Sequence, residues 1–189
     1  MRKLFAGILL AAALPASASI SSELAAGDAS VSDIINNAMA ACGGSGSCQE
    51  LAIADAIAAG VDITTVINLA VAAGADAKAT VTAASAAGIK AGKSVDVVLA
   101  AALAADNVPA AAAVGGVTAG ATKSGLSTEA AQNAVTTAAT KQNVNPQVIA
   151  AAVTGTTITP NASAPVQSKP AKQDTPKAPP QLPPISPAS

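Results

Sequence analysis

The stretch from Gly60 to Asp76 decides the fold, and it reads GVDITTVINLAVAAGAD. Gly60 and Gly74 tolerate the left-handed backbone with which many helices end. Asp62 and Asp76 are favourable helix N-cap residues. Between these two turns the apolar residues recur at helical spacing, and they are Ile63, Val66, Ile67, Ala70 and Val71. The stretch therefore predicts one short amphipathic helix between two copies of a helix-ending and helix-starting turn.

The same three-residue turn recurs along the chain. Its first residue is Gly or Asn, its second is usually a larger apolar residue, and its third is often an N-cap residue. The further copies are Gly88-Ile89-Lys90, Asn107-Val108-Pro109, Gly125-Leu126-Ser127 and Asn143-Val144-Asn145. Ser127 and Asn145 suit the N-cap position, whereas Lys90 and Pro109 do not. Successive copies are 14, 14, 19, 18 and 18 residues apart, which predicts a string of short helices.

These turns predict an all-α fold over residues 19–159, built as an Ala-rich array of seven or eight short helices. Helices joined by turns of about three residues must double back on each other, so they form hairpins. The hairpins are expected to stack as a small bundle or as an α-solenoid. Because each alanine buries little apolar area, we expect a thin core and a monomer that gains stability from association.

The second helix is predicted from a Ser-x-x-Glu pattern at Ser47 and Glu50, which is typical of a capping box with Ser47 as the N-cap. Leu51, Ala54 and Ala58 then share one face of that helix. This helix and the preceding one form a hairpin, and the only two cysteines of the chain lie near its turn.

The two cysteines, Cys42 and Cys48, are predicted to form a disulfide, because an even pair across a short loop is typical of exported proteins. A redox-active pair is less favoured, since the Cys-x-x-Cys spacing and a nearby His, Lys or Arg are missing. A metal site is less favoured still, since two thiolates without His leave the coordination incomplete.

Residues 1–18 have the pattern of a secretory signal peptide. Arg2 and Lys3 precede the apolar run Leu4–Leu14, and small residues at Ala16-Ser17-Ala18 predict cleavage between Ala18 and Ser19. The sequence therefore predicts export to the periplasm, the cell surface or the extracellular space. The mature chain contains no stretch that is expected to form a transmembrane segment.

Residues 160–189 differ sharply in composition from the preceding array. Nine of the chain's 12 prolines lie there, among Ser, Gln, Lys and Ala. This composition predicts a disordered, proline-rich tail with polyproline II character. The segment Pro176–Pro184 is a candidate for docking to a partner, and the simpler interpretation is a spacer.

The composition argues against catalysis and against nucleic-acid binding. The chain contains no His, Trp or Tyr, and its one Phe is Phe5 in the predicted signal peptide. We therefore expect no enzyme, no cofactor and no metal ion. Without Arg2 and Lys3 the side-chain charge is 8 − 11 = −3, whereas nucleic-acid binding favours clustered basic residues.

The function class that the sequence favours is an exported bacterial structural or interaction protein of the envelope or extracellular matrix. It is expected to pack helix faces against copies of itself or against another secreted protein. The alternative is a periplasmic binding module, or a small chaperone or adaptor, for an apolar segment or partner protein. A membrane-active or ice-binding helical protein is a third and less favoured class. The Thr residues of this chain lack the regular spacing that would align them on one flat helix face.

Overall fold

The computed structural model describes residues 20–155, which form nine α-helices. They are α1 (Ile20–Ala26), α2 (Val31–Ala41), α3 (Gly46–Ala58), α4 (Ile63–Ala72), α5 (Ala77–Lys90), α6 (Val95–Ala104), α7 (Ala110–Lys123), α8 (Thr128–Lys141) and α9 (Pro146–Thr154). The all-α fold is confirmed. The prediction of seven or eight helices did not include α1. The predicted signal peptide, its cleavage site at Ala18 and Ser19, residues 156–159 and the proline-rich tail lie outside the described residues.

The helices are arranged as an α-solenoid. Each helix packs against its neighbours one and two positions away along the chain, and no other pair among the described helices packs together. Helices α1, α3, α5, α7 and α9 therefore form one layer, which we call the odd layer. Helices α2, α4, α6 and α8 form the even layer. This nearest-neighbour pattern is typical of stacked helical hairpins.

Small side chains make up much of the core. Ile34, Ile35, Ile67 and Leu99 are the largest fully buried residues, and most of the other buried residues are Val and Ala. The tightest contact lies in the odd layer, between α5 and α7. A Cβ atom added at Gly120 would lie 2.5 Å from the Cβ of Ser85 and 2.7 Å from the backbone oxygen of Thr82. The two helices therefore approach almost to backbone contact.

Five joints between helices share one hydrogen-bonding pattern. At the first, the N–H of Gly60 donates to the carbonyl of Ile57 (3.0 Å), and the N–H of Val61 donates to that of Ala56 (3.1 Å). This pair of bonds is the Schellman motif, which satisfies the last carbonyls of a helix. The residues in the left-handed position at the other four joints are Gly74, Gly92, Gly125 and Asn143. The recurring turn of the sequence is thus a recurring helix C-cap.

The joint after α6 is built differently. Asn107 has the left-handed φ of 60°, but Ala105 leaves the helix in an extended conformation and is buried. The next N–H, that of Asp106, donates to the side-chain oxygen of Asn68 on α4 at 2.7 Å. A side chain of the neighbouring even-layer helix therefore anchors this joint.

The prediction of a turn at Gly88-Ile89-Lys90 is wrong, because α5 continues through all three residues. Gly88 is buried inside the helix, and a Cβ there would lie 2.9 Å from the Cδ1 of Ile63. This glycine makes room for α4 and α6. The turn lies four residues later, at Gly92-Lys93-Ser94, where Gly92 has a φ of 85°.

Four predicted N-caps occupy their expected positions. In each, the side chain accepts a hydrogen bond from a backbone N–H in the first turn, and they are Asp62, Asp76, Ser127 and Asn145. The two shortest of these bonds, both 2.8 Å, join the N–H of Ala79 to Asp76 and the N–H of Gln147 to Asn145.

The prediction of Ser47 as an N-cap is wrong. Helix α3 begins at Gly46, so Ser47 lies inside its first turn and Ser45 is the N-cap residue. The reason is the tight turn after α2, in which the N–H of Ser45 donates to the carbonyl of Cys42 at 2.9 Å. This turn starts α3 early and brings Cys48 close to Cys42. Glu50 pairs with Lys123 on α7, so the capping box is not formed.

Candidate functional site

Most of the ionisable side chains singled out above have structural partners. Asp62 and Asp76 cap helices, and Glu50 pairs with Lys123 at 2.7 Å. Within residues 20–155, no group of three or more His, Cys, Asp or Glu side chains is placed to hold a metal ion. The candidate functional features of the described residues are therefore on the surface.

None of the helices in the described part of the chain has the length and apolar character that crossing a membrane requires.

The outer face of α3 carries the most exposed large aliphatic residue of the described chain. Leu51 is 72% exposed, compared with 52% for Val97 and 37% for Val31. Ser47, Ala54 and Ala58 lie on the same face at positions i−4, i+3 and i+7 from Leu51. We call these four residues the α3 stripe. It presents one large aliphatic side chain among small ones.

The opposite face of α3 belongs to the core. Ile53, Ala56 and Ile57 are buried there against neighbouring helices. The sequence places Leu51, Ala54 and Ala58 on one face, and the structure turns that face outward. The two isoleucines are four residues apart, a helical spacing that Ala54 and Ala58 share, so spacing alone does not identify the inner face. Leu51 is not needed to fill the core.

An ion pair lies beside the α3 stripe. The Nζ of Lys123, at the end of α7, lies 2.7 Å from the Oε1 of Glu50, which directly precedes Leu51. Helix α5 packs against both α3 and α7, so this pair links the two helices on either side of it. Both side chains are about half exposed, so the pair stabilises the fold by only about 0–1 kcal/mol. Its main effect is to place a polar edge beside Leu51.

A second surface feature is a groove between α6 and α8 with a volume of about 450 Å³. Its lining residues are Ser94, Val95, Asp96, Asn133, Ala134, Thr137 and Lys141. An ion pair between Lys141 and Asp96 (3.1 Å) joins the two helices there. Val95 and Ala134 are the apolar residues of the lining, and the other five carry polar or charged groups.

The two cysteines are joined in the structure. Cys42 is the C-cap residue of α2, Cys48 lies in the first turn of α3, and their Cα atoms are 5.3 Å apart. Cys42 is buried and Cys48 is partly exposed. The disulfide therefore closes the α2–α3 turn, as the spacing predicts.

The predicted site residues thus separate into the disulfide pair and a set of helix caps that hold the array together. The exposed Leu51 is the surface feature that the sequence alone does not reveal. Comparison of the chain with models of protein families, with curated proteins and with solved structures found no match.

Proposed function

We propose that the chain is an exported structural or interaction protein of a bacterial envelope or extracellular matrix, and that it acts by packing helix faces against copies of itself. The observation that carries this proposal is the α3 stripe, where Leu51 is 72% exposed while Ile53 and Ile57 on the same helix fill the core. Covering Leu51 with a second copy removes its apolar surface from water, which favours association.

The disulfide supports the exported part of the proposal. A bond between Cys42 and Cys48 is maintained in an oxidising compartment and is rare in the cytosol. The signal-peptide pattern of residues 1–18 and the cleavage site between Ala18 and Ser19 are consistent with the same location.

The composition of the α3 stripe favours a second copy as the partner. In a two-fold symmetric contact the same surface is used by both chains. Two antiparallel α3 helices would then place Leu51 of each copy against Ala54 or Ser47 of the other. Small residues at these positions allow close approach, as they do between α5 and α7.

The alternative of a binding module for an apolar segment has less support. The groove between α6 and α8 is the candidate site for it, and its lining includes the ion pair of Asp96 and Lys141. Docking of a partner through Pro176–Pro184 stays a prediction from the sequence.

Sedimentation velocity of the mature chain, residues 19–189, over a wide range of concentration tests the proposal. We expect dimers or larger species that increase with concentration. Replacement of Leu51→Ser should weaken this association by roughly 100-fold or more, because both copies lose about 1.5 kcal/mol of apolar burial.

The matched control is Val97→Ser, which removes an exposed aliphatic residue from α6 and should leave the association unchanged. A wild-type chain that stays monomeric at every concentration would reject the proposal. Equal effects of the two substitutions would reject the α3 stripe as the contact.

A further inference from the structure

The N-terminal end of the described array, α1 and α2, packs on only two of the other helices, α3 and α4. Helix α2 packs on α3 and α4, and α1 packs on α2 and α3. The buried side chains that this segment contributes are Ile20, Ile34, Ile35 and Met39. They belong to the same core cluster as Ile53, Ile57 and Ile63 of α3 and α4, on which α2 packs. The segment therefore serves as the cap that one end of a solenoid requires.

The polar side-chain contacts of α2 are local. Ser30 caps α2 by accepting from the N–H of Asp33 and donates to its carboxylate at 2.7 Å. Asn36 donates to Ser32, one turn away. The segment 20–41 contains Glu23, Asp28 and Asp33 but no Lys or Arg. These contacts stabilise α2 itself and do not bind it to the rest of the array.

The connection between the cap and the array is a glycine hinge closed by a covalent bond. Gly43 and Gly44 both have left-handed backbone conformations, with φ of 54° and 82°. A Cβ added at either would have no neighbouring atom within 4 Å, so no neighbouring helix packs on these two glycines. The bond from Cys42 to Cys48 spans the hinge and joins its two sides.

We infer that the Cys42–Cys48 disulfide is a redox-controlled latch that holds α1 and α2 as a detachable cap over the apolar surface of α3 and α4. With the latch closed, the cap covers that surface. With the latch open, the glycine hinge lets α1 and α2 separate from it together. This inference concerns regulation of the fold, and it does not depend on self-association through the α3 stripe.

Opening requires a dithiol reductant, such as a Cys-x-x-Cys protein or dithiothreitol. One thiolate of the reductant attacks the Sγ of Cys48, the more exposed of the two residues, and the bond to Cys42 breaks. Cys42 leaves as a thiolate and takes up a proton. The second thiol of the reductant then displaces Cys48 from the mixed disulfide, so Cys48 also ends as a thiol and the reductant ends as a disulfide.

Native-state hydrogen exchange on the full mature chain, with and without dithiothreitol, tests the latch. Closing a loop of this length restricts the open state by roughly 50-fold in the chain-entropy description, so reduction should raise the exchange rates of α2 by about that factor. The amides of α5 and α7 should not change, because those helices do not contact α2. Mass spectrometry of the same protein without deuterium reports the two hydrogen atoms gained on reduction.

A second measurement uses the Cys42→Ala, Cys48→Ala double variant without reductant. It should show the same fast exchange in α1 and α2 as the reduced wild type. Unchanged protection of α2 on reduction would overturn the latch, as would a uniform rise in exchange through all nine helices. Finding both cysteines as free thiols in the exported protein would also overturn it. None of these outcomes depends on whether the oxidised chain associates.

Discussion

The α5–α7 pair and the α1–α2 cap are held in the same array by opposite means. Between α5 and α7 the contact is made by glycines and small residues, and an added Cβ at Gly116 would lie 2.7 Å from the Cγ1 of Val81. In the cap, large side chains such as Ile34, Ile35 and Met39 make the contact, and a disulfide closes the turn that follows.

The difference shows where an Ala-rich chain obtains stability. Close approach of backbones gives many dispersion contacts per residue, although each side chain is small. This solution needs helices with neighbours on several sides, which α5 and α7 have. The end of the array has fewer neighbours, and larger apolar residues with a covalent bond take the place of close approach.

The largest expected effect comes from adding one methyl group to the central contact. Gly120→Ala would place a Cβ 2.5 Å from that of Ser85 and 3.0 Å from the backbone nitrogen of Ala86. Because backbone atoms cannot move aside separately, α5 and α7 must separate, and we expect a loss of about 3 kcal/mol in the free energy of unfolding. Urea denaturation measures this loss.

The matched control for that substitution is Gly46→Ala, in the first turn of α3. A Cβ there meets no atom within 4 Å, so the higher helix propensity of Ala should make the change neutral or stabilising by up to about 1 kcal/mol. If both alanines are tolerated, the close approach of α5 and α7 does not limit the stability of the array.

A smaller effect is expected from Ile35→Val, which removes one methylene group from the interface of the cap. It should cost about 1 kcal/mol, the usual cost of this change in a packed site. Because the cap packs on α3 and α4, hydrogen exchange should accelerate in α1 and α2 and stay unchanged in α7. Equal acceleration in all helices would show that cap and centre unfold as one unit.

Loss of an N-cap side chain at the start of α5 is expected to lower the free energy of unfolding by about as much as Ile35→Val. Asp76→Ala removes the side chain that accepts from the N–H of Ala79 at the start of α5, so it should destabilise the chain by about 1 kcal/mol. Ser47→Ala, inside the first turn of α3, should have little effect. A thermal melt of each variant distinguishes them, and a larger loss for Ser47→Ala would contradict the position of α3 described above.

The smallest expected effect has the opposite sign. The hydroxyl oxygen of Ser85 is buried at the contact with α7 and has no hydrogen-bond partner in the structure. Ser85→Ala keeps the Cβ that touches Gly120 and removes a buried polar group, so it should stabilise the chain by about 0.5–1 kcal/mol. Chemical denaturation measures this change, and a destabilised variant would indicate that the hydroxyl forms a bond in solution.

Local chemistry predicts most of the turns, because each one depends on residues next to each other in the sequence. Gly60 and Asp62 end one helix and start the next through their own backbone and side chain. Gly92-Lys93-Ser94 follows the same Gly-x-Ser order as Gly125-Leu126-Ser127, so the correct end of α5 was readable from the sequence. Gly88 was the misleading residue, because its role is to leave room for Ile63 on another helix.

The features of the candidate site that the sequence does not predict depend on packing between distant parts of the chain. The disulfide follows from spacing alone. Leu51, by contrast, belongs to an apolar face at helical spacing, and only the position of α3 relative to α5 shows that Ile53 and Ile57 are the residues that turn inward. Similarly, the pairing of Glu50 with Lys123 joins residues 73 positions apart.

The nearest-neighbour packing of the solenoid has a consequence for the folding reaction. Apart from the Glu50–Lys123 ion pair, the helices pack only on elements that are adjacent or next-adjacent in the described chain, so the contact order is low. Folding can therefore proceed helix by helix during synthesis, because each helix packs on elements that are close to it in the chain. A protein built in this way is expected to fold rapidly from its N-terminal end and to expose each new apolar surface only until the next two helices have formed.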